Sequence, residues 1–168
     1  MSSPFDPADP AVRPFTSFNF KVEVQVPGMN GQLASASFSE CDGLEMSMEP
    51  KSIREGGRNS GPVLMAGPVG YGQLTLKRGM TANLDLWRWF ERVSASGNGG
   101  LRASAEVVML AADAVTVQLH YMLRECLPVK VKGASLNAKE GLIAIEEMQV
   151  AYESPELLLR GETPPPPP

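Results

Sequence analysis

The segment from Lys51 to Phe90 has the sequence KSIREGGRNSGPVLMAGPVGYGQLTLKRGMTANLDLWRWF, and it decides the fold prediction. A charged, glycine-rich turn is followed by about a dozen aperiodic residues, then by a strand over Gln73 to Arg78 and a tryptophan-rich helix. Connections longer than about 12–15 residues are uncommon in compact domains unless they have a task. Since none of these residues looks catalytic, we predict that residues 52–72 form an assembly loop that holds other molecules in place.

Length, composition and charge narrow the class of protein. A chain of 168 residues suits one domain, and its apolar and charged fractions are those of an ordinary globular protein. The net charge of −4 and the scattered basic residues give no reason to expect a nucleic-acid partner for the surface. No apolar run approaches the roughly 18–20 residues that span a bilayer, so no stable membrane insertion is predicted. The first residues lack the features of a secretory signal, which predicts synthesis and initial residence in the cytoplasm.

The two ends of the chain differ from its middle. Residues 1–14 contain four prolines and predict a flexible N-terminal arm, while residues 155–168 predict a C-terminal extension that ends in five prolines. A stiff extension is favoured over a ligand for a proline-recognising partner. Cys41 and Cys126 match no metal or redox spacing, so we predict two small, half-buried thiols.

Period-two alternation dominates the rest of the chain. Residues 18–26 alternate apolar and polar side chains without a fault, as a strand with one wet face should. Further strands are predicted over residues 34–40, 44–53, 105–110, 115–123, 129–131 and 143–152. In the last of these, Ile143 and Ile145 have the opposite parity to Met148 and Val150. That change of phase predicts a bulge at residues 146–147 or a strand covered on both faces.

A single helix is predicted over residues 83–96. Leu86, Phe90 and Val93 share one face and predict an apolar stripe, which Trp87 and Trp89 cannot both join. One helix cannot cover both faces of seven or eight strands. The predicted fold over residues 15–154 is therefore mainly β, an antiparallel β-sandwich or barrel with one lateral α-helix.

Residues of catalytic type are scattered. His120 is the only histidine, and it lies on the polar parity of a predicted strand, away from any nucleophile motif. The glycines of residues 67–72 lead into a strand, whereas a phosphate site needs glycines that open a helix. Glu146 and Glu147 are neighbours on a strand and point to opposite faces. We therefore predict that the protein is not an enzyme and has no cofactor and no metal site.

Two blocks of sequence have a further implication. The first combines a loop, a strand and a helix: Arg54, Glu55, Gly56, Gly57, Arg58, Asn59, Gly70 and Tyr71, then Lys77, Arg78 and Gly79, then Trp87 and Trp89. The second is the later block with Pro128, Lys130, Gly133, Leu136 and Asn137. Together they resemble the tail tube proteins of contractile, T-even-type phages and the inner tube proteins of phage-derived contractile injection systems. The resemblance spans residues 15–153, with departures at Val131, where the family often has tryptophan, and at residues 65–68, which lack a common basic residue.

The resemblance implies a structural inner tube subunit that oligomerises into a ring with a continuous inner β-barrel. Hexameric rings would stack into a hollow conduit that is propelled by contraction of a surrounding sheath. The implied partners are further copies of the chain, the sheath protein, baseplate and cap or terminator proteins, and cargo effectors or DNA in the lumen. The loop of residues 52–72 would contact neighbouring subunits and the next ring, poorly ordered alone and ordered by stacking. The helix would lie on the outer wall, in a phage tail or a tail-like particle that can leave the cell.

Several alternatives stay open at this point. Within the family, a baseplate-proximal tube initiator is the second interpretation, and the sequence does not separate a phage from an injection system. Outside the family, a β-sandwich module that binds a carbohydrate or a proline-rich ligand lacks an aromatic platform, and a hydrolase centred on His120 ranks below it. The sequence also leaves open which strand parity faces the lumen.

Overall fold

Eleven strands and one helix form the described part of the protein, in a computed structural model that describes residues 15–29, 38–54, 56, 61–97, 101–139 and 141–159. The elements are β1 (Phe20–Gln25), β2 (Glu40–Asp42), β3 (Met46–Met48), β4 (Lys51–Ile53), β5 (Val63–Met65), β6 (Val69–Tyr71), β7 (Gln73–Gly79), α1 (Asp85–Ala95), β8 (Ala103–Leu110), β9 (Val117–Lys132), β10 (Ile145–Ala151) and β11 (Ser154–Leu159). The mainly β, antiparallel prediction with one helix is confirmed. Several predicted features lie outside the described residues: the N-terminal segment of residues 1–14, the oligoproline tail, residues 34–37, and Glu55, Gly57, Arg58 and Asn59.

Two antiparallel layers share the long strand β9. The first layer, sheet I, has the order β1-β8-β9-β11, and the second layer, sheet II, has the order β9-β10-β7-β2. Residues 119–124 of β9 lie between β8 and β11, and residues 127–132 pair with β10. Between these parts, Glu125 has a φ of 54°, a left-handed conformation that changes the course of the strand.

Three details of the predicted strands are wrong. Residues 115–123 and 129–131 were predicted as separate strands, yet β9 is one strand that runs through Pro128. Pro128 lies opposite Val150 beside a register shift, where the missing backbone N–H of a proline disturbs the hydrogen bonds between the strands little. The bulge predicted at residues 146–147 is also wrong, because β10 alternates regularly and Ile143 and Ile145 are exposed. The predicted extension from residue 155 begins inside β11, which pairs with β9, so the folded domain reaches at least Leu159.

The prediction of one strand over residues 44–53 followed by a structureless loop is wrong as well. This region forms a two-tiered ribbon, in which β3 pairs with β6 and β4 pairs with β5. We call the segment from Met46 to Tyr71 the arm. Its tiers are separated at Pro50 and at Gly67, where a Cβ would lie 1.8 Å from the carbonyl oxygen of Glu49. The arm lacks alternation in its sequence because almost every residue of its four strands is exposed.

The core lies between the two sheets and is covered at one end by α1. Sheets and helix contribute fully buried apolar side chains, which include Val22, Val24, Leu74, Leu76, Leu86, Trp89, Leu123, Met148 and Val150. On the helix, Trp89 takes the central buried position, while Phe90 and Val93 are only half-buried. The predicted stripe is confirmed at Leu86 and at Val93, which packs against the core, but it left out Trp89, the other fully buried side chain of α1.

Gly43 sits where the chain turns from β2 into the arm, and we expect Gly43→Ala to destabilise the fold. Its φ is 90°, and a Cβ there would lie 1.9 Å from the carbonyl oxygen of Gln73. Both the backbone conformation and the close approach exclude a side chain, so we expect a loss of about 1–3 kcal/mol in the free energy of unfolding. Urea unfolding measures it, with Gly141→Ala as the control because a Cβ there meets open space. Equal stability of the two variants would contradict this reason for the glycine.

Both thiols are expected to be unreactive in the folded protein. Cys41 is half-buried, as predicted, whereas Cys126 is fully buried, and both are free. Burial raises the pKa of each thiol to about 12, helped by the charge of Asp42 near Cys41. Because only the thiolate is nucleophilic, alkylation at pH 8 should be about a thousandfold slower than for a free cysteine, and should accelerate in denaturant. Rapid native labelling of Cys126 would contradict this burial.

Candidate assembly surfaces

The arm presents an unusual amount of apolar side chain to solvent. Seven apolar residues of the arm are each 40% or more exposed: Met46, Met48, Ile53, Leu64, Met65, Val69 and Tyr71. Contiguous exposed apolar surface of this kind marks a site of protein–protein contact in soluble proteins. The arm is therefore the first candidate assembly surface.

The root of the arm is fixed to the core by Tyr152. Its hydroxyl accepts the backbone N–H of Glu45 at 3.0 Å and lies 2.9 Å from the carbonyl oxygen of Gly43, to which it can donate. The ring of Tyr71 lies 6.1 Å from the ring of Tyr152, centroid to centroid. The arm is consequently anchored at its base by a buried side chain, which holds its direction relative to the sheets.

The predicted loop residues fall at different heights of this arm. Gly70 lies opposite Ser47 and Tyr71 lies opposite Met46, both in the lower tier. Arg54 and Gly56 are exposed beyond the upper tier, at the far end of the arm. The contact roles predicted for these residues stay predictions.

Strand β7 and the helix are linked by a buried polar cluster. The side chains of Arg78 and Glu146 are 2% and 1% exposed, and Arg78 Nε donates to Glu146 Oε1 at 2.6 Å. Trp87 Nε1 donates to the other oxygen of Glu146 at 3.1 Å, and Arg78 Nη2 donates to the carbonyl oxygen of Asn83 at 3.0 Å. These contacts tie sheet II to the start of α1. Arg78, Trp87 and Trp89 are thus buried or half-buried members of the fold, and Gly79 ends β7 opposite Ile145.

Sequence reasoning missed Glu146 as the partner of Arg78. The available signal was its parity, which it shares with Met148 and Val150 on the buried face of β10. A carboxylate on a buried face needs a cation or several donors, and Arg78 has the matching parity on β7, directly opposite in the register. The register between the two strands could not be read from the sequence.

The late block of predicted residues is spread over three environments. Pro128 is buried in β9, and Lys130 is exposed on the same strand. Gly133 lies beneath the indole of Trp87, where a Cβ would be 3.5 Å from the ring. Leu136 is 89% exposed, and Asn137 accepts the N–H of Lys139 through its side-chain oxygen at 3.0 Å. The block therefore serves both the core and the surface, and it does not form one site.

The two sheets differ in their outward faces. The outward face of sheet II is mainly polar, and its exposed apolar side chains are Val129 and Ile145. Its polar side chains are Glu40, Asp42, Gln73, Thr75, Lys77, Lys130, Lys132, Glu147 and Gln149. The outward face of sheet I mixes half-buried Val108 and Met122 with the pair formed by His120 Nε2 and Glu106 Oε2, 3.2 Å apart. Sheet II therefore has the wetter surface. His120 lies in this pair with Glu106, and no group of three or more His, Cys, Asp or Glu side chains within the described ranges is arranged to hold a metal ion.

A family model described as T4-like virus tail tube protein gp19 matches residues 16–156. The chain belongs to this family. It is a tail tube protein. A comparison with curated protein sequences gives no significant match. Within the described ranges, α1 is too short and too polar to cross a membrane.

Solved structures share the fold over most of the chain. A chain in the six-fold symmetrised baseplate structure of the anti-feeding prophage is 23% identical, with a TM-score of 0.77, 89% of this chain covered and 99% of that chain. A chain in the extended sheath–tube complex of the extracellular contractile injection system PVC is 16% identical, with a TM-score of 0.74 and coverages of 92% and 99%. A chain in the anti-feeding prophage cap structure is 15% identical, with a TM-score of 0.72 and coverages of 88% and 92%.

Proposed function

We propose that this tail tube protein forms six-membered rings that stack into a hollow tube, with sheet II as the wall of the lumen. The observation that carries the proposal is the face of sheet II, where four antiparallel strands expose nine polar side chains to solvent and only Val129 and Ile145 interrupt them. A channel that must stay wet needs such a face. Sheet I, with apolar side chains among its outward residues, suits the outer part of the wall.

The open edges of sheet II support ring closure. Within the described ranges, β2 pairs only with β7, and residues 127–132 of β9 pair only with β10. Unpaired strand edges invite pairing with another chain. Directions alternate across β2, β7, β10 and β9, so a copy rotated about a ring axis brings its β2 antiparallel to β9. Repeating this head-to-tail contact closes a ring and leaves no open edge in the wall.

The arm supports contact between neighbouring subunits and between successive rings. The arm joins sheet II at Gln73, the first residue of β7. It carries apolar side chains that nothing in the described part of the chain covers. Burying them against another copy would yield about 25 cal/mol for each Å² of apolar surface removed from water. The charged side chain of Arg54, at the far end of the arm, would add a polar contact.

The proposed mechanism is mechanical. The stacked rings form a rigid, passive conduit that is driven forward by contraction of a surrounding sheath, while cargo effectors or DNA pass through the lumen. Fold relatives occur in structures described as a baseplate, a sheath–tube complex, a cap and a sheath/tube terminator, and we propose corresponding partners for this chain. Assembly in the bacterial cytoplasm, followed by release of the particle, completes the proposal.

A baseplate-proximal ring is the second candidate. The observation that favours it is the baseplate structure that contains one of the fold relatives, at a TM-score of 0.77. An initiator of this kind would form single rings that other proteins extend, whereas a shaft subunit would polymerise by itself.

Electron microscopy of the purified protein, with light scattering after gel filtration, tests the proposal. We expect sixfold rings, and hollow filaments at high protein concentration. Single rings that never stack would favour the baseplate-proximal candidate. A monodisperse monomer at high concentration, with no polymer after addition of preformed tubes, would overturn both.

A further inference from the structure

A row of alternating charges crosses the outward face of sheet II. Glu40 of β2 lies opposite Lys77 of β7, Lys77 lies opposite Glu147 of β10, and Glu147 lies opposite Lys132 of β9. The first pair is in contact, with Lys77 Nζ 2.7 Å from Glu40 Oε1. The row therefore has a negative charge at the open edge of β2 and a positive charge at the open edge of β9.

The next row has charge only at its ends. Asp42 of β2 lies opposite Thr75, Thr75 lies opposite Gln149, and Gln149 lies opposite Lys130 of β9. The cross-strand neighbours of Asp42 and Lys130 are thus uncharged. Both rows place an exposed carboxylate on β2 and an exposed ammonium group on β9. The two open edges of sheet II are electrostatically complementary to each other.

We propose that these edge charges select how copies of the chain pair: Lys130 and Lys132 of one subunit meet Glu40 and Asp42 of the next. The inference rests on the proposed ring and names the side chains that specify it. The two strands run in opposite directions in this pairing, so Lys132 lies opposite Glu40 and Lys130 lies opposite Asp42. The alternation within the subunit then continues across the junction and around the lumen.

The same charges disfavour the wrong assemblies. A two-fold dimer through two β2 edges would bring four carboxylates together, and a dimer through two β9 edges would bring four lysines together. Like charges directly opposite one another on neighbouring strands are destabilising. Only the head-to-tail contact satisfies both edges, so the charges direct the subunits toward a closed ring and away from closed dimers.

Each pair lies at the surface, so its main effect is on specificity and on the rate of encounter rather than on affinity. Wild-type ring formation should therefore slow as salt is raised, since salt screens exposed charges. Equal rates of ring formation at low and high salt would overturn the proposal without any mutation.

Charge reversal of each edge provides the direct test. The variant Lys130→Glu/Lys132→Glu has two acidic edges, and the variant Glu40→Lys/Asp42→Lys has two basic edges. Each alone is expected to lose ring formation by about tenfold or more in the ring fraction. An equimolar mixture should restore rings in which the two variants alternate. Native mass spectrometry can count the copies of each variant in a ring. The chain carrying all four substitutions should form rings by itself and should exclude wild-type subunits.

Matched controls separate this inference from the proposed function. Lys139→Glu/Arg88→Glu gives the same change in net charge as Lys130→Glu/Lys132→Glu, at residues away from the two edges, and should leave ring formation unchanged. Circular dichroism of each variant verifies folding, and rescue on mixing verifies it again. Wild-type protein that forms no rings would overturn the proposed function. Two outcomes would overturn the edge-charge proposal alone, provided that the wild type forms rings. In the first, both edge variants form normal rings by themselves. In the second, both variants fold but fail to rescue each other on mixing.

Discussion

Glu146→Ala is expected to destabilise the subunit by about 3–5 kcal/mol, because it leaves the buried guanidinium group of Arg78 without its carboxylate. The same change removes the acceptor of the Trp87 indole N–H, so sheet II loses this hydrogen bond to α1 as well as the Arg78–Glu146 bond between β7 and β10. Urea unfolding followed by tryptophan fluorescence measures the loss. The protein concentration must be one at which gel filtration gives a monomer, since assembly would raise the apparent stability.

The neighbouring residue provides the control. Glu147→Ala removes a carboxylate from the outward face of the same strand, and it should change the free energy of unfolding by no more than about 0.5 kcal/mol. Arg78→Met/Glu146→Leu replaces the ion pair by apolar groups and should recover most of the loss. A loss below about 1 kcal/mol for Glu146→Ala would show that the buried pair does not hold the helix against the sheet.

Replacing residues 49–68 by the dipeptide Asn-Gly is expected to abolish stacking while leaving the rings intact. The change removes the upper tier of the arm, β4 and β5, and closes the lower tier with a turn that antiparallel strands favour. Neither strand contributes to the core, so the melting temperature of the monomer should stay close to that of the wild type. Negative-stain electron microscopy should show sixfold rings and no filaments longer than one ring.

A point variant distinguishes the arm surface from its mere length. Leu64→Ser/Met65→Ser keeps the upper tier but removes two of its exposed apolar side chains, and it should shorten filaments strongly. Val115→Ser changes a side chain that is 79% exposed in the turn between β8 and β9, away from the arm, and it serves as the control. Filaments of normal length from the truncated chain would refute the stacking role of the arm.

The sequence predicted those parts of the fold in which one face is buried and the other is wet. Residues 20–25 alternate because the core covers only the face of β1 that carries Val22 and Val24, and the strand appears where the alternation predicts it. The single helix was predicted for a similar reason, through its apolar periodicity. Its central residue, Trp89, was not identified, because tryptophan at that position is compatible with burial or exposure until the neighbouring sheet is known.

The arm and the buried ion pair could not be predicted in the same way. Strands β3 to β6 lack alternation because neither of their faces is covered within the subunit, so their pairing leaves no periodic signal. Ile143 and Ile145 had the opposite effect, since their apolar side chains suggested a second buried face of β10 although both are exposed. The charge rows of sheet II depend on the register of four strands from distant parts of the chain, which individual strand patterns do not contain.

The shared strand β9 has a mechanical consequence. Residues 127–132 belong to the sheet that faces the proposed channel, and residues 119–124 belong to the outer sheet, so one unbroken backbone joins the two layers. A force applied to the outside of a ring would reach the inner wall through the covalent backbone of β9. Its transmission would not depend on non-covalent side-chain contacts between the two sheets. The layers of each subunit would then advance together, and slippage under load would be confined to the junctions between subunits.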